Sequence, residues 1–333
     1  MMAQTVMKAS IVERSGAPFI LKEVARPEPS AGQVLVRVGA SAVNPLDTKI
    51  RAGVAAHAKQ PLPAILGIDV AGIVASVGEG VTSFRPGDEV YGMTGGVGGV
   101  QGSLAEFVAA DSLLLARKPE NLSMREAAAV PLVFITAWEG LVDRAQVREG
   151  QKVLVHGGAG GVGHIAVQLA KAFGAEVYAT GSAKDAGYIE GLGATFIDYN
   201  GASVDDYVAA CTAGRGFDLV YDAVGGAVLD ASFNAVARFG HVVSALGWGT
   251  HALAPLSFRA ASYSGVFTLL PLLTGEGRAH HGEILREATK LIEAGKIFPR
   301  LDPRHFNFET SDQAHALVES RAAAGKVVIE IGD

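Results

Sequence analysis

Residues 152–180 read KVLVHGGAGGVGHIAVQLAKAFGAEVYAT, and this stretch decides the fold. Lys152 to His156 is alternating and β-branched enough for a buried strand, and Ile165, Ala166, Leu169, Ala170 and Phe173 then recur at helical spacing. Gly174 is placed to stop that helix, and Glu176 to Thr180 reads as a second strand. Between strand and helix, Gly158, Gly160 and Gly163 satisfy G-x-G-x-x-G in the strand–turn–helix context that a dinucleotide site requires. The first glycine permits the tight turn, the second admits a pyrophosphate, and the third lets helix and strand pack closely. The following helix presents N–H groups and a positive dipole end to the anion. With 42 glycines in the chain a lone match means little, so the weight rests on the whole strand–loop–helix–strand unit. The alternative is a merely tight βα turn.

The end of the second strand bears on which dinucleotide. Sites that prefer NAD place a carboxylate about 20 residues beyond the glycine loop, on the ribose 2′-hydroxyl. Here that region reads Ala179-Thr180-Gly181-Ser182-Ala183-Lys184, without an acid at the strand end. A carboxylate facing a 2′-phosphate would cost roughly 1 kcal/mol in water and up to about 4 near a surface, per unit charge at about 4 Å. A hydroxyl and a lysine remove that repulsion, so NADPH is expected, with Ser182 and Lys184 on the phosphate. Asp185 is close by, and is read as a first-turn residue of the next helix, where acids suit the dipole.

A chain of 333 residues has room for two domains and a large core. The formal net charge of −6 argues against a nucleic-acid footprint. One cysteine, Cys211, excludes an internal disulfide and is read as a small buried hydrophobe. Met1 to Arg14 lacks the basic-then-apolar pattern of a signal peptide, and no apolar run reaches the roughly 18–20 residues of a membrane span. A cytoplasmic protein without membrane partners is expected.

Residues 5–110 are strand-rich. Val6 to Val12, Gln33 to Val38, Gly72 to Val77 and Glu89 to Tyr91 are separated by turn clusters such as Pro86-Gly-Asp88, which suggests a compact barrel-like domain. Gly92 to Gly102 is expected to be a mobile loop, since no helix follows it directly. Ser123-Met-Arg-Glu126 is a capping box opening a helix through Val130, which Pro131 kinks or restarts before Ile135 to Val142 continues in register. From Lys152 the pattern alternates, with strands near 152–156, 176–180, 195–198, 218–222 and 241–246. Helices fall between them near 161–173, 183–192, 203–212 and 226–237, predicting a doubly wound parallel sheet. A helix over Glu283 to Glu293 and a strand over Lys326 to Ile331 are expected to return to the first domain.

Several of these segments together resemble the medium-chain dehydrogenases/reductases of the zinc-independent, quinone oxidoreductase (ζ-crystallin-like) branch. They include Pro29 to Arg37, Val43-Asn-Pro-Leu-Asp47, Gly67-Ile-Asp-Val-Ala-Gly72 and Pro86 to Gly92. Ser103 to Val108, Thr136 to Leu141, the glycine loop, Asp222-Ala-Val-Gly225 and Gly325-Lys-Val-Val328 complete the set over nearly the whole chain. The resemblance implies an α/β protein: a GroES-like β-rich catalytic domain (1–125 and 266–333) and a Rossmann domain with a doubly wound parallel sheet (126–265), commonly as a homodimer. Zinc-dependent relatives use a Gly-His-Glu histidine, which here reads Gly67-Ile68-Asp69, and one cysteine cannot build a four-cysteine lobe. None of the nine histidines shows a ligand spacing, so no metal is expected.

Zinc would act as a Lewis acid on an ordinary carbonyl. Without it, a quinone or an α,β-unsaturated carbonyl is the fitting acceptor, because it delocalises the incoming charge itself. The protein then contributes orientation and a few donors near the oxyanion. By matching position, the resemblance implies Asn44 and Thr136 near the nicotinamide, and Gly160, Gly161 and Val162 at the pyrophosphate. It further implies Tyr199 at the adenosine ribose phosphate, and Leu246 and Gly247 beside the nicotinamide ribose. Structural alternatives are turn chemistry before Pro45 for Asn44, helix packing for Thr136 and a half-buried strand end for Tyr199. Where many members carry a pocket tyrosine this chain has Lys49, which could stabilise an enolate oxygen or snorkel to solvent. Asp47 could pair with it, and Tyr263 is a poorer proton donor. The expected function is therefore NADPH-dependent reduction of a quinone or enone. An alcohol dehydrogenase acting on simple carbonyls and a non-catalytic NADPH-binding protein are the alternatives.

Overall fold

The computed structural model describes residues 5–332 and divides them into two compact units. Residues 1–4 of the stretch Met1–Arg14, expected to carry no signal peptide, lie outside the described residues, as does Asp333. The first unit runs up to Leu132 and takes in Leu269–Gly295 and the chain from Pro299 onward, while the second is Val133–Thr268 with Lys296–Phe298.

The first unit opens with β1 (Val6–Val12), β2 (Ile20–Ala25), β3 (Gln33–Val43), α1 (Pro45–Arg51), β4 (Ala64–Ile65) and β5 (Asp69–Val77). β6 (Glu89–Met93), β7 (Phe107–Asp111), β8 (Leu115–Arg117) and α2 (Met124–Ala128) follow. β3 lies at the centre, antiparallel to both β5 and β7. Its alternate residues Val34, Val36 and Val38 point into one core with Val70, Val74 and Val90, the period-two burial expected of a pleated strand. The segment Gly92–Gly102 is not the open loop expected of it. Most of it is buried, and it is pinned by Gly96 N–H to Val100 O (3.1 Å), Gly98 N–H to Ala58 O (2.9 Å) and Gly102 N–H to Ile65 O (2.9 Å). Gly92, Gly95, Gly96 and Gly102 serve close packing: a Cβ on Gly102 would overlap the Leu66 backbone.

α3 (Pro131–Trp138) starts at the proline and continues as a π-helical turn over Glu139–Arg144, so the expected helical register is interrupted rather than simply extended. The alternating βα pattern then holds throughout: β9 (Lys152–His156), α4 (Gly163–Ala172), β10 (Glu176–Gly181), α5 (Ala186–Gly191), β11 (Thr195–Asp198) and α6 (Val204–Thr212). β12 (Phe217–Asp222), α7 (Ala227–Ala235), β13 (Val236–Ser244), α8 (Ala254–Ser257) and β14 (Ser262–Gly265) complete it. The six strands are parallel in the order β11-β10-β9-β12-β13-β14, so the order reverses between β9 and β12. In such sheets the carboxyl ends of the strands beside that reversal form the ligand crevice. β13 begins five residues before the expected 241 because Val236 pairs with Phe217 across a register shift. β14 went unread: SYSG is too short and too polar to signal a strand.

α9 (Leu270–Thr274), α10 (Arg278–Glu293), α11 (Ser311–Glu319) and β15 (Val327–Glu330) return to the first unit. β15 pairs antiparallel with β3, Val327 opposite Val43. Among the described residues no helix is long and apolar enough to cross a membrane.

Candidate dinucleotide and substrate site

In the second unit, the carboxyl ends of β9, β10, β12 and β13 are tied together by polar groups. Gly157 has φ +73°, which a glycine adopts without strain. Its N–H donates to Thr180 Oγ1 at 3.1 Å, and the same hydroxyl lies 3.2 Å from His156 Nδ1. Thr180 thus accepts from the loop and can donate to the imidazole. Burial holds His156 down to about 4, so the ring is neutral and suited to accept that bond. Across the sheet reversal, Asp222 Oδ1 accepts N–H bonds from Val224 and Gly225, both 2.9 Å. Asp222 Oδ2 takes the Ser244 hydroxyl at 2.7 Å, and Ser244 Oγ in turn accepts from Leu246 N–H at 3.0 Å. One buried carboxylate therefore shapes both loops beside the glycine turn.

The loop itself is a cradle that side chains would fill. A Cβ on Gly163 would overlap the Gly157 carbonyl, and one on Gly158 would stand 2.6 Å from Ala179 Cβ. Gly160 and Gly161 are exposed, and α4 begins at Gly163 behind Val162 without a side-chain cap, leaving its N-terminus open to an anion. A dinucleotide pyrophosphate fits this geometry. Ser182 follows β10, with its hydroxyl on Asp185 Oδ2 at 2.6 Å, while Lys184 is exposed. Asp185 closes a short 3-10 turn ahead of α5, in line with the first-turn reading. Tyr199 follows β11 beside Gly181, its N–H 3.3 Å from that carbonyl oxygen and its side chain exposed. Leu246 and Gly247 leave β13, and a Cβ on Gly247 would overlap the Tyr263 hydroxyl. Thr136 is buried on α3, its Oγ1 3.0 Å from Thr268 Oγ1 and its carbonyl accepting from Tyr221 OH at 2.8 Å.

Asn44 and Lys49 belong to the first unit. Asn44 precedes α1, is 1% exposed, and has both ends of its carboxamide engaged: Nδ2 donates to Asp69 Oδ2 at 2.9 Å, and Oδ1 accepts from Lys326 Nζ. Asp69 Oδ1 accepts from Leu132 N–H at 2.9 Å, and Lys326 Nζ lies 3.7 Å from Asp69 Oδ2. Asp47 turns inward and accepts from Asn44 N–H at 2.8 Å, while Lys49 is exposed, so the Asp47–Lys49 pair considered from sequence does not form. Burial raises the Asp47 carboxyl to about 7. Burial also raises Asp69 and lowers Lys326. At the zinc-histidine position, Ile68 is fully buried. Among the described residues no group of three or more His, Cys, Asp or Glu side chains is arranged to hold a metal. In the sequence Asp69, Asp222 and Lys326 stand out only as members of longer motifs, and nothing in the residue pattern marks Thr180 or Ser244. Asp222 carried a usable signal, since Asp-x-x-Gly at a strand end is an Asx-type turn.

Residues 30–120 match the alcohol dehydrogenase GroES-like domain family and 192–329 the zinc-binding dehydrogenase family. The chain is 36% identical to the chloroplastic NADPH-dependent alkenal/one oxidoreductase of Arabidopsis thaliana, over 97% of this chain and 79% of that one. It is 31% identical to a quinone oxidoreductase of Sus scrofa, over 98% of each. Among solved structures, an alcohol dehydrogenase superfamily protein from Novosphingobium aromaticivorans superposes with a TM-score of 0.97 at 59% identity, covering 98% of this chain and 100% of that one. With a GroES-like β-rich unit, a six-stranded parallel nucleotide-binding sheet and these relatives, the chain belongs to the medium-chain dehydrogenase/reductase superfamily, alongside its quinone and alkenal/one oxidoreductases, and is a nicotinamide-dependent oxidoreductase acting on small molecules.

Proposed function

We propose that this oxidoreductase uses NADPH to reduce a quinone or an α,β-unsaturated carbonyl without zinc. The observation that carries the reading is the coexistence of a complete dinucleotide cradle with a fully buried isoleucine, Ile68, where a zinc histidine would stand. The names of the alkenal/one and quinone oxidoreductase relatives support the same acceptor classes. When bound, the nicotinamide supplies the hydride. The chain's part is to bind and orient. Gly160, Gly161 and the Val162 end of α4 hold the pyrophosphate against N–H groups. Lys184 meets the 2′-phosphate, with Ser182 held in place by Asp185. Tyr199 flanks the adenosine ribose phosphate, and Leu246 and Gly247 flank the nicotinamide ribose. By the resemblance, Thr136 of the second unit and Asn44 of the first, the latter a buried, fixed amide, are the residues assigned to the nicotinamide. Lys49 offers an exposed ammonium to the oxyanion that forms as the acceptor is reduced. An acceptor that spreads charge over a conjugated system needs little more than this.

The test is NADPH oxidation against matched panels of quinones, alkenals and saturated aldehydes, with zinc measured on the same sample. Turnover of the first two panels at negligible metal content is expected. Turnover of the saturated aldehydes alone, dependent on bound zinc, points instead to an alcohol dehydrogenase. Tight NADPH binding with no oxidation by any panel points to a binding protein. By the resemblance the protein works as a homodimer in the cytoplasm, and sedimentation equilibrium checks the dimer.

A further inference from the structure

The cluster beneath α1 contains one more acid than base. Asp47, Asp69 and Lys326 are all buried, so their full ionisation would leave an uncompensated negative charge away from water. Asp69 is well served, with Asn44 Nδ2, Leu132 N–H and Lys326 Nζ around it. Asp47 is less well served: Oδ2 accepts from Asn44 N–H and the Asn44 side chain lies close, but Oδ1 is buried with no hydrogen-bond partner among the described residues. A buried carboxylate oxygen left alone is costly when charged and much less so when neutral. The proton that neutralises the cluster therefore belongs on Asp47. That residue sits in the first turn of α1, one residue before Thr48 and two before Lys49.

We propose that Asp47, Asp69 and Lys326 form a proton-controlled positioning cluster: with one proton bound it is neutral and holds α1, and with it Thr48 and Lys49, in place, and loss of that proton loosens the helix. Asp47, Asp69 and Lys326 are positioning residues, acting through Asn44 and α1, and the inference rests on the reading of Lys49 given above. The charged groups around Asp47 are consistent with this assignment. Asp69 on β5 faces it as a like charge, and Lys326 ahead of β15 is the opposite charge acting on it among the described residues. From α11, Asp312 and His315 face Arg51 at the far end of α1 instead. Burial, the first cause, raises the Asp47 carboxyl to about 7, near the working pH of a cell.

The test uses the full-length protein. In Asp-labelled wild type, ¹³C NMR shows one carboxyl titrating within about one unit of neutrality, and Asp47→Asn removes it. Over the same pH range, hydrogen exchange of residues 45–54, corrected for intrinsic pH dependence, speeds up about tenfold in wild type and less than twofold in Asp47→Asn. Neither measurement needs substrate, so a failure of the proposed reductase activity leaves both readable. With an active acceptor, kcat/KM falls at least tenfold from pH 6 to pH 9 in wild type and less than twofold in Asp47→Asn. Should Asp47→Asn not fold, the wild-type titration and exchange still decide. All aspartates titrating below pH 5 overturns the assignment of the proton. A neutral-range titration with no change in exchange of residues 45–54 overturns the control of α1.

Discussion

Lys184 and His315 illustrate how differently two basic side chains can be used. Lys184 is exposed next to a hydroxyl already committed to Asp185, which leaves its ammonium as a donor beside the end of β10. Lys184→Ala is expected to raise KM for NADPH roughly tenfold with kcat unchanged, the scale of one lost charge-assisted hydrogen bond. Equal KM values for NADPH in both proteins would remove it from the phosphate site. His315 is 1% exposed, edge-on to Phe19 at 4.7 Å, and neither ring nitrogen has a hydrogen-bond partner among the described residues. Burial first, and the Arg51 charge second, push it down to about 3. The folded state thus binds this proton less readily than the unfolded chain, whose imidazole titrates near 6.5. Stability is fully present above about 6.5 and falls with acidification towards 3, by about 1.4 kcal/mol per pH unit. His315→Leu should lower that slope by about 1.4 kcal/mol per pH unit in urea unfolding between pH 4 and 6.5, leaving the share of His156. An unchanged slope would show that the acid sensitivity lies elsewhere, His156 being the next candidate.

At the level of elements, the glycine loop was legible because its constraints are local. Strand, turn and helix lie in consecutive residues, so periodicity and glycine spacing carry the whole message. β2, β4 and β14 were not legible, because the strands that pair with them, not their own composition, make them strands. The packed Gly92–Gly102 segment was misread for a related reason. Glycines that admit close backbone approach look the same in sequence as glycines that confer mobility, and only the contacts at Leu66 and Gln101 tell them apart. Within the nucleotide loop the glycines separate into two groups with different expected outcomes. Gly163→Ala drives a methyl into the Gly157 carbonyl and should cost about 2–4 kcal/mol of stability. Gly160 is exposed, and its methyl would lie 3.2 Å from Gly157 O, a clash that a small shift relieves. Gly160→Ala should therefore fold with nearly wild-type Tm yet bind NADPH at least tenfold more weakly, as followed by nucleotide fluorescence. Wild-type affinity in Gly160→Ala would move the pyrophosphate away from this loop.

For the molecule as a whole, the legible part was the alternation of elements and the hidden part was what distant segments do together. Lys326 reaches Asn44 across 282 residues of sequence, and nothing near either residue announces the other. What brings them together is β15, which pairs with β3 and delivers Lys326 next to the strand that ends one residue before Asn44. The first unit is thus closed by the last strand of the chain, whereas the second is built from nearly continuous sequence around its own core of Leu154, Phe217, Val220 and Phe233. This asymmetry predicts the response to truncation. Removing residues 326–333 deletes an edge strand and leaves Asp69 and Asp47 without the buried cation Lys326, a loss of the kind that costs roughly 3–5 kcal/mol. Both tryptophans, Trp138 and Trp248, lie in the second unit, so their fluorescence reports on it alone. Trp138 is packed between Phe134 and Phe173 and will change emission when that unit opens. The truncated chain should lose far-UV strand signal at 25 °C and keep a cooperative tryptophan transition on heating. Loss of that transition together with the strand signal would mean that the parallel sheet does not stand without the closing strand of its neighbour.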